Sequence, residues 1–293
     1  MSPRDLALLL FLALLWGSSF LLMRVAGPEF GAAPLAFVRV AVATAFLGAL
    51  LAWRREPPDL AGRGPRMALM AITNTAAPFF LLTWATIHLS AGYGSLLNAT
   101  TPLWGALIGA LLFASQRAGR AELAGLALGF VGVGVLVSGK LAEAGQAALW
   151  PVLAGLLATA CYGFAAHFAR SGFSGMSPLA LAFGSQLGSS LLLAGPAIAQ
   201  WPDALPGARA WACVVVLGVA CTGLAYLIYF GLIARIGATR ATMVTYLAPV
   251  AGVAMAALVL GEAITPSMLA GGAIVLLGVA VANQAWKAFA AKA

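Results

Sequence analysis

Residues 90–112 read SAGYGSLLNATTPLWGALIGALL, and residues 237–259 read GATRATMVTYLAPVAGVAMAALV. An offset of 147 aligns the two stretches and places Pro102 on Pro249 and Gly105 on Gly252. Each stretch is long and apolar enough for one membrane-spanning helix with a proline in its middle. A second match, at an offset of 146, aligns 123–136 with 269–282 at seven of fourteen positions. The chain therefore contains two copies of one unit.

The composition indicates a membrane protein. Hydrophobic residues make up 62% of the 293 residues and charged residues 8%, which is far from the proportions of a soluble domain. Ten charge-free apolar runs follow one another, and a helix needs about 20 such residues to cross a bilayer. We predict an all-α membrane protein with ten transmembrane helices, at about 6–25, 33–53, 67–88, 90–112, 121–138, 147–169, 178–198, 211–234, 241–261 and 266–286.

The repeat divides the chain near its middle. Trp16-Gly17 in the first helix aligns with Tyr162-Gly163 in the sixth, so the second copy begins there. We place repeat one at 1–145 and repeat two at 146–293, within one integrated membrane domain. Because five helices per repeat is an odd number, the second repeat is predicted to enter the membrane inverted relative to the first. Inverted repeats hold a solute near the midplane between them.

The basic residues predict the orientation. With both termini in the cytoplasm, twelve Lys and Arg residues lie in inner loops, against Arg24, Lys140 and Arg209 outside. Basic loops are retained on the cytoplasmic side, so we predict cytoplasmic termini and a location in the cell inner membrane. The net charge of +8 is then a topology signal and not a nucleic-acid surface. The expected partners are a small-molecule solute and the lipid bilayer, and the protein is expected to act as a monomer.

Several elements resemble a known transporter family. They are Trp16-Gly-Ser-Ser-Phe20 in helix one, Arg39 in helix two, Leu96–Pro102 in helix four and Leu260-Gly-Glu262 after helix nine. On these elements the chain resembles EamA-type members of the drug/metabolite transporter superfamily, and its ten-helix form resembles YddG-type exporters of aromatic amino acids. The resemblance implies a central cavity walled mainly by helices one, three, four, six, eight and nine. The family's Leu-Gly-Glu element is also expected after helix four, where this chain reads Phe113-Ala-Ser-Gln116.

Aromatic, hydroxyl and amide side chains are the candidates for the site. We predict substrate binding by Trp16, Ser18, Ser19, Asn74, Phe79, Trp84, Asn98, Thr101, Tyr162, His167, Tyr226 and Tyr246, with Tyr93, Trp104 and Tyr229 as further candidates. Aromatic faces bury planar apolar groups, and amides and hydroxyls orient a polar end. No acid lies deep inside a predicted span, so uniport or weak proton coupling is favoured over a carboxylate relay. The predicted function is export of amphipathic metabolites, above all aromatic amino acids, by alternating access without a cofactor or metal.

Other interpretations of the same residues stay open. Trp and Tyr near helix ends also serve as membrane-interface anchors, and Arg39 also has the position to snorkel to the headgroups. His88 and His167 are typical of ordinary hydrogen-bonded residues near helix ends. Ser and Thr side chains can bond back to their own helix.

Other functions also stay open. A multidrug exporter would bind lipophilic cations, which calls for an anionic cavity residue that the spans lack. A membrane enzyme would need a metal cluster or an activated nucleophile beside a base, which two histidines and no buried acid do not supply. A channel would need a charged or carbonyl ring, and no filter-like segment is visible.

The matched prolines predict two hinges. A proline inside a helix removes one amide donor and clashes with the preceding turn. The freed carbonyl must find another donor in a membrane, and Asn98, Thr100 and Thr101 are close enough to support Pro102, as Thr245 is for Pro249. We predict that helices four and nine flex at these prolines. The alternative is a static kink that shapes the cavity.

Overall fold

The computed structural model describes residues 1–112, 119–173 and 175–282. Within these residues the chain is helical and contains no strand. Its longer helices are α1 (Pro3–Phe30), α2 (Ala32–Arg54), α3 (Gly64–His88), α4 (Ala91–Leu112), α5 (Arg120–Ala144), α6 (Leu149–Gly172), α7 (Pro178–Ala199), α8 (Ala208–Ile236), α9 (Val244–Leu260) and α10 (Pro266–Ala282), and one short helical turn, Ala238–Ala241, precedes α9. The all-α expectation is confirmed for this part of the chain.

Serine caps begin three of the helices. Ser2, Ser90 and Ser177 each accept a hydrogen bond from the backbone amide three residues ahead, at 3.1 to 3.2 Å. A serine at this position satisfies one of the amides that the first helical turn leaves without a partner. These caps set the first residues of α1, α4 and α7.

The helices present an apolar surface to their surroundings. In the described residues, seven helical stretches are long and apolar enough to cross a membrane, one of them the 50-residue stretch Arg120–Ala169. This stretch contains α5 and α6, which are separated by a 3₁₀ turn at Gly145–Ala148. α9 and α10 are shorter apolar helices of 17 residues each. Large side chains such as Leu111 and Leu258 are exposed on the outside of the bundle, where lipid can cover them.

α3 and α8 each contain one π-helical turn. The turns span Ile72–Ala76 and Val219–Leu224, and an offset of 147 places the first residue of one on the first residue of the other. Asn74 and Thr75 lie in the first π turn, and Pro78 lies at the start of the regular segment that follows it, so α3 continues through all three residues. The wider turn accommodates the polar residues without ending the helix.

The packing between helices follows the repeat. A Cβ placed on Gly17 of α1 would lie 2.8 Å from the Gly252 nitrogen of α9, and one on Gly163 of α6 would lie 2.7 Å from the Gly105 nitrogen of α4. The repeat relates these two contacts, and both helix pairs approach so closely that only glycine fits. The hydroxyls of Thr44 on α2 and Ser190 on α7, 146 residues apart, lie 3.1 Å from each other.

α5 and α10 form a glycine-lined pair. A Cβ on Gly125 or on Gly278 would lie within 2.7 Å of the backbone of the other helix, and the same type of contact joins Gly132 to Gly271. The two helices pack chiefly on each other, on the α4 side of the bundle. This placement agrees with the cavity walls that the resemblance implies, which do not include helices five and ten.

Candidate functional site

A cavity of about 280 Å³ lies between the two repeats. It is walled by α1, α2, α3, α4, α6, α8 and α9. Its lining consists of Trp16, Ser19, Phe20, Met23, Arg39, Asn74, Phe79, Leu82, Asn98, Thr101, Tyr162, Cys221, Thr222, Tyr226, Tyr229, Thr245 and Ala248. The resemblance had implied six of these seven walls, and α2 is the addition, through Arg39.

Most of the predicted residues meet at this cavity. Eight of the twelve line it, namely Trp16, Ser19, Asn74, Phe79, Asn98, Thr101, Tyr162 and Tyr226. The further candidate Tyr229 also lines it, with its ring 5.2 Å from that of Trp16. Asn74 lies in the π turn of α3 and donates from Nδ2 to the Tyr226 hydroxyl at 3.4 Å. The π turn therefore carries a polar side chain into the cavity wall.

Four predicted residues lie elsewhere. Ser18 donates to the Leu15 carbonyl at 3.0 Å, as the back-bonding alternative expects, and lies 3.6 Å from Cys221 Sγ. The remaining three make contacts away from the cavity. The Trp84 ring packs on the His88 ring, with the ring centres 4.8 Å apart. His167 Nε2 lies 2.8 Å from the Gly105 carbonyl oxygen, and the Tyr246 hydroxyl donates to the Val279 carbonyl at 3.3 Å. The other further candidates are Tyr93, which is buried among α4, α5 and α6, and Trp104, whose ring packs on Phe130.

Arg39 is the charged residue of the cavity lining, and the predicted site omitted it. Its side chain is 5% exposed, so the interpretation that it snorkels to the headgroups is wrong. Nε donates to Thr222 Oγ1 at 3.0 Å, and the guanidinium lies 3.8 Å above the centre of the Phe79 ring. A charged residue in an apolar span is the signal that could have found it, because such residues are costly and are usually functional.

The repeat explains the position of Arg39. Offsets of 146 and 147 align Arg39 with Ser185 and Thr75 with Thr222. Ser185 and Thr75 form a hydroxyl contact of 2.9 Å, and Arg39 and Thr222 form the corresponding contact in the other half. The same junction therefore occurs twice, and only the one built from repeat one's α2 carries a charge.

Asn98 presents a free acceptor near the cavity. Its side-chain oxygen Oδ1 is buried and has no hydrogen-bond partner among the described residues, although Asn98 lines the cavity. Buried amide oxygens are normally paired. The described residues therefore leave one hydrogen bond of Asn98 unfilled beside the cavity.

Charged contacts lie at the two ends of the bundle. At one end, the carboxylate of Glu262 accepts from the Ala91 and Gly92 amides at 2.9 and 3.0 Å. Arg24 lies 3.9 Å from Glu262 and also donates to the Ile87 carbonyl. We call this the Glu262 end. At the opposite end, Arg235 and Asp5 form an ion pair at 2.9 Å.

The Glu262 contacts account for the Leu-Gly-Glu element. The glutamate follows α9 and caps the N-terminus of α4, where a negative charge is favourable. The matching position after α4, within Phe113-Ala-Ser-Gln116, lies outside the described residues.

The predicted hinges differ in their support. α4 has a turn at 99–100, and its second segment begins at Thr101. The carbonyl that Pro102 frees, on Asn98, accepts from the Thr101 hydroxyl at 2.9 Å, so the predicted local support is confirmed there. In α9 the Thr245 hydroxyl donates to the Thr242 carbonyl at 2.8 Å, so the predicted use of this hydroxyl near Pro249 is wrong.

Comparison with known proteins gives the class. The model of the EamA-like transporter family matches residues 5–138 and again residues 149–284. The chain therefore belongs to the EamA-like transporter family. It is a multi-pass membrane protein, and the family identifies it as a transporter and not an enzyme.

Individual relatives cover almost the whole chain. A protein of Streptantibioticus cattleyicolor named "Probable terminal-alkyne amino-acid exporter" is 31% identical over 92% of this chain and 90% of its own length. A Salmonella typhimurium protein named "Probable amino-acid metabolite efflux pump" is 29% identical over 95% of this chain and 94% of its own length. A protein of known crystal structure has the same fold, with a TM-score of 0.69 at 19% identity over 99% of both chains.

Proposed function

We propose that this protein exports amino-acid metabolites, with aromatic amino acids favoured, across the cell inner membrane. The observation that carries the proposal is the chemistry of the cavity wall. Six aromatic rings line it, and amide and hydroxyl groups lie between them, the rings being those of Trp16, Phe20, Phe79, Tyr162, Tyr226 and Tyr229. Such a wall buries a planar apolar side chain and orients a polar end. The names of two relatives support amino acids as the solute.

The mechanism we propose is alternating access between two inverted repeats, 1–145 and 146–293. The ten apolar runs support ten crossings, and the basic residues of the loops support cytoplasmic termini. The repeat-related contacts of Gly17 with Gly252 and of Gly163 with Gly105 support equivalent roles for the two copies. A cavity that lies between such repeats can be exposed to either side when one rocks against the other.

A multidrug exporter of lipophilic cations is the weaker alternative. Such a solute calls for an anionic group in the cavity, and the cavity-lining residues of the described chain include no acid. They include a cation, Arg39, which repels another cation in a site of low dielectric. The charge of the cavity therefore favours a solute with a negative group.

Counterflow in liposomes tests the proposal. The purified protein is reconstituted, loaded with unlabelled phenylalanine or leucine, and supplied with the labelled amino acid, with and without a proton gradient. We expect uptake that exceeds protein-free liposomes, is faster for phenylalanine and changes little with the gradient, since no acid lines the cavity in the described residues. Uptake at the protein-free level for all amino acids, together with uptake of a lipophilic cation, would favour the multidrug alternative.

Two cavity variants locate the site. Trp16→Ala and Asn98→Ala are expected to reduce counterflow while the protein stays folded and monodisperse in detergent. Trp150→Ala is the matched control, because Trp150 is 70% exposed on the outside of the bundle. Full activity in both cavity variants would place the site elsewhere.

A further inference from the structure

The cavity contains a buried cation, Arg39, with which no acid of the described residues pairs. In the described residues, Arg24, Arg63, Lys140 and Arg235 each form an ion pair with an acid. Arg39 is more buried than any of these four and has no carboxylate within 4.0 Å in that part of the chain. A buried charge is costly unless it is paired. The fold therefore retains a charge for which its own described residues supply no partner.

The contacts of Arg39 leave donors unused. Nε donates to Thr222, and Nη1 lies 3.7 Å from the Met23 sulfur, which is a weak acceptor. A guanidinium has five N–H donors in a planar fork, and Nη2 makes no hydrogen bond to the described residues. Phe79 packs against one face of the group at 3.8 Å, so the edge of the fork is the part left for a ligand. A planar fork matches a carboxylate in two parallel hydrogen bonds.

Arg39 and Asn98 line the same cavity. Arg39 lies on α2 and Asn98 on α4. The cavity lining therefore combines a cation that has no paired acid among the described residues with an amide oxygen that has no donor among those residues.

We propose that Arg39 binds the free carboxylate of the transported solute and that Asn98 Oδ1 accepts from its ammonium group. This inference rests on the proposed function and specifies the substrate class as zwitterions with a free carboxylate. The aromatic rings then hold the side chain, and the two polar groups hold the α-carbon end. Amino-acid amides and simple amines lack the group that neutralises Arg39. They are poor substrates even when their apolar part fits.

Competition against the wild-type protein tests this without altering the fold. Labelled phenylalanine counterflow is inhibited with phenylalaninamide, which lacks the carboxylate, and with 3-phenylpropionate, which lacks the amine. Each competitor loses a charge-assisted hydrogen bond that phenylalanine makes. Phenylalaninamide should therefore compete at least tenfold more weakly than phenylalanine, which corresponds to a loss of roughly 1.4 kcal/mol in binding free energy. 3-Phenylpropionate should compete more weakly than phenylalanine but better than the amide, because it keeps the contact with Arg39.

Variants then assign the groups. Arg39→Gln should abolish the preference for phenylalanine over phenylalaninamide, and Arg39→Lys should keep part of that preference. Asn98→Ala should remove the preference for phenylalanine over 3-phenylpropionate. Arg66→Gln, at an exposed arginine in the first turn of α3, is the matched control and should change neither preference. Equal competition by phenylalanine and phenylalaninamide in the wild type would overturn the inference while the proposed function stands. Absence of counterflow with every amino acid would overturn the proposed function itself.

Discussion

Neutralising Glu262 should open the Glu262 end of the bundle. The carboxylate joins α9 to the first two amides of α4, and Arg24 extends the contact from α1 to the last carbonyls of α3. Four helices that wall the cavity thus meet at one group. We expect that they must separate for the cavity to open at this end, so the Glu262→Gln substitution should favour the open state.

The contacts indicate the size of the effect. Hydrogen bonds to a charged group contribute about 1.5 to 3 kcal/mol each, and the charge beside a helix N-terminus adds about 0.3 to 1 kcal/mol. The side-chain amide of the Glu262→Gln variant would keep one acceptor and would face the second backbone amide with its own donor. Because the Glu262 side chain is 17% exposed, we take the lower part of both ranges for the energy lost in the Glu262→Gln variant. A loss of about 2 kcal/mol corresponds to a roughly 30-fold shift toward the open state.

Cys221 provides the assay. It lines the cavity and is 2% exposed, so an impermeant thiol reagent reaches it only when an end opens. With Cys161 and Cys213 replaced by serine, reagent applied from the Glu262 side should label the Glu262→Gln protein roughly 30-fold faster than the parent, as the shift in the equilibrium requires. Glu143→Gln is the control, because Glu143 pairs with Lys140 at an exposed site where an ion pair contributes little. An unchanged labelling rate in Glu262→Gln would refute the view that this network holds the end closed.

Three further predictions address topology, hinges and packing. Single cysteines at Ala61 and Gln146 should label from opposite sides of the membrane, since the charge pattern places the first inside and the second outside. Pro102→Ala and Pro249→Ala should slow exchange while substrate affinity is kept, because a regular helix flexes less at these positions. Gly163→Ala should lower stability by about 1 to 3 kcal/mol, measured as thermal unfolding in detergent, since the new Cβ would meet the backbone of α4 at 2.7 Å.

Each of these has a comparison that can contradict it. For the topology test the cysteine is placed at Gln146 and not at the neighbouring Gly145, because Gly145 has φ +66° and a side chain there would strain the backbone of the turn. Same-side labelling would rule out the inverted topology. Full exchange rates in both proline variants would leave the static kink as their role. Gly134→Ala is the control for packing, since a Cβ there meets no atom within 4 Å, and equal stabilities of the two glycine variants would contradict the close approach.

The residue order alone revealed the class of the protein and its repeat. Apolar runs, basic loops and matched prolines are properties of local sequence, and a bilayer allows helices as the structure for such runs. Much of the candidate site could also be predicted, because an aromatic or amide residue in the middle of an apolar span has few favourable environments outside the protein interior. Trp16, Asn74, Asn98 and Tyr226 reach the cavity as predicted.

Which face each helix turns inward was decided by tertiary packing. Ser18 and Ser19 are neighbours, but successive residues on a helix point about 100° apart, and only Ser19 lines the cavity. His167 and Tyr246 are chemically suitable, yet their helices direct them to the backbone of α4 and α10. Hydropathy along these spans is too uniform to indicate which direction is inward.

Contacts between distant parts of the chain account for the rest. Arg39 has two plausible environments by sequence, the headgroups or the interior, and Thr222, 183 residues away, holds it inside. Glu262 has no predictable role until α9 brings it to the start of α4, 171 residues away. Sequence determined that this is a repeated, membrane-embedded helical protein, because that follows from local composition. The tertiary structure decided where its charges lie, because the role of a charged residue depends on the groups that the fold places beside it.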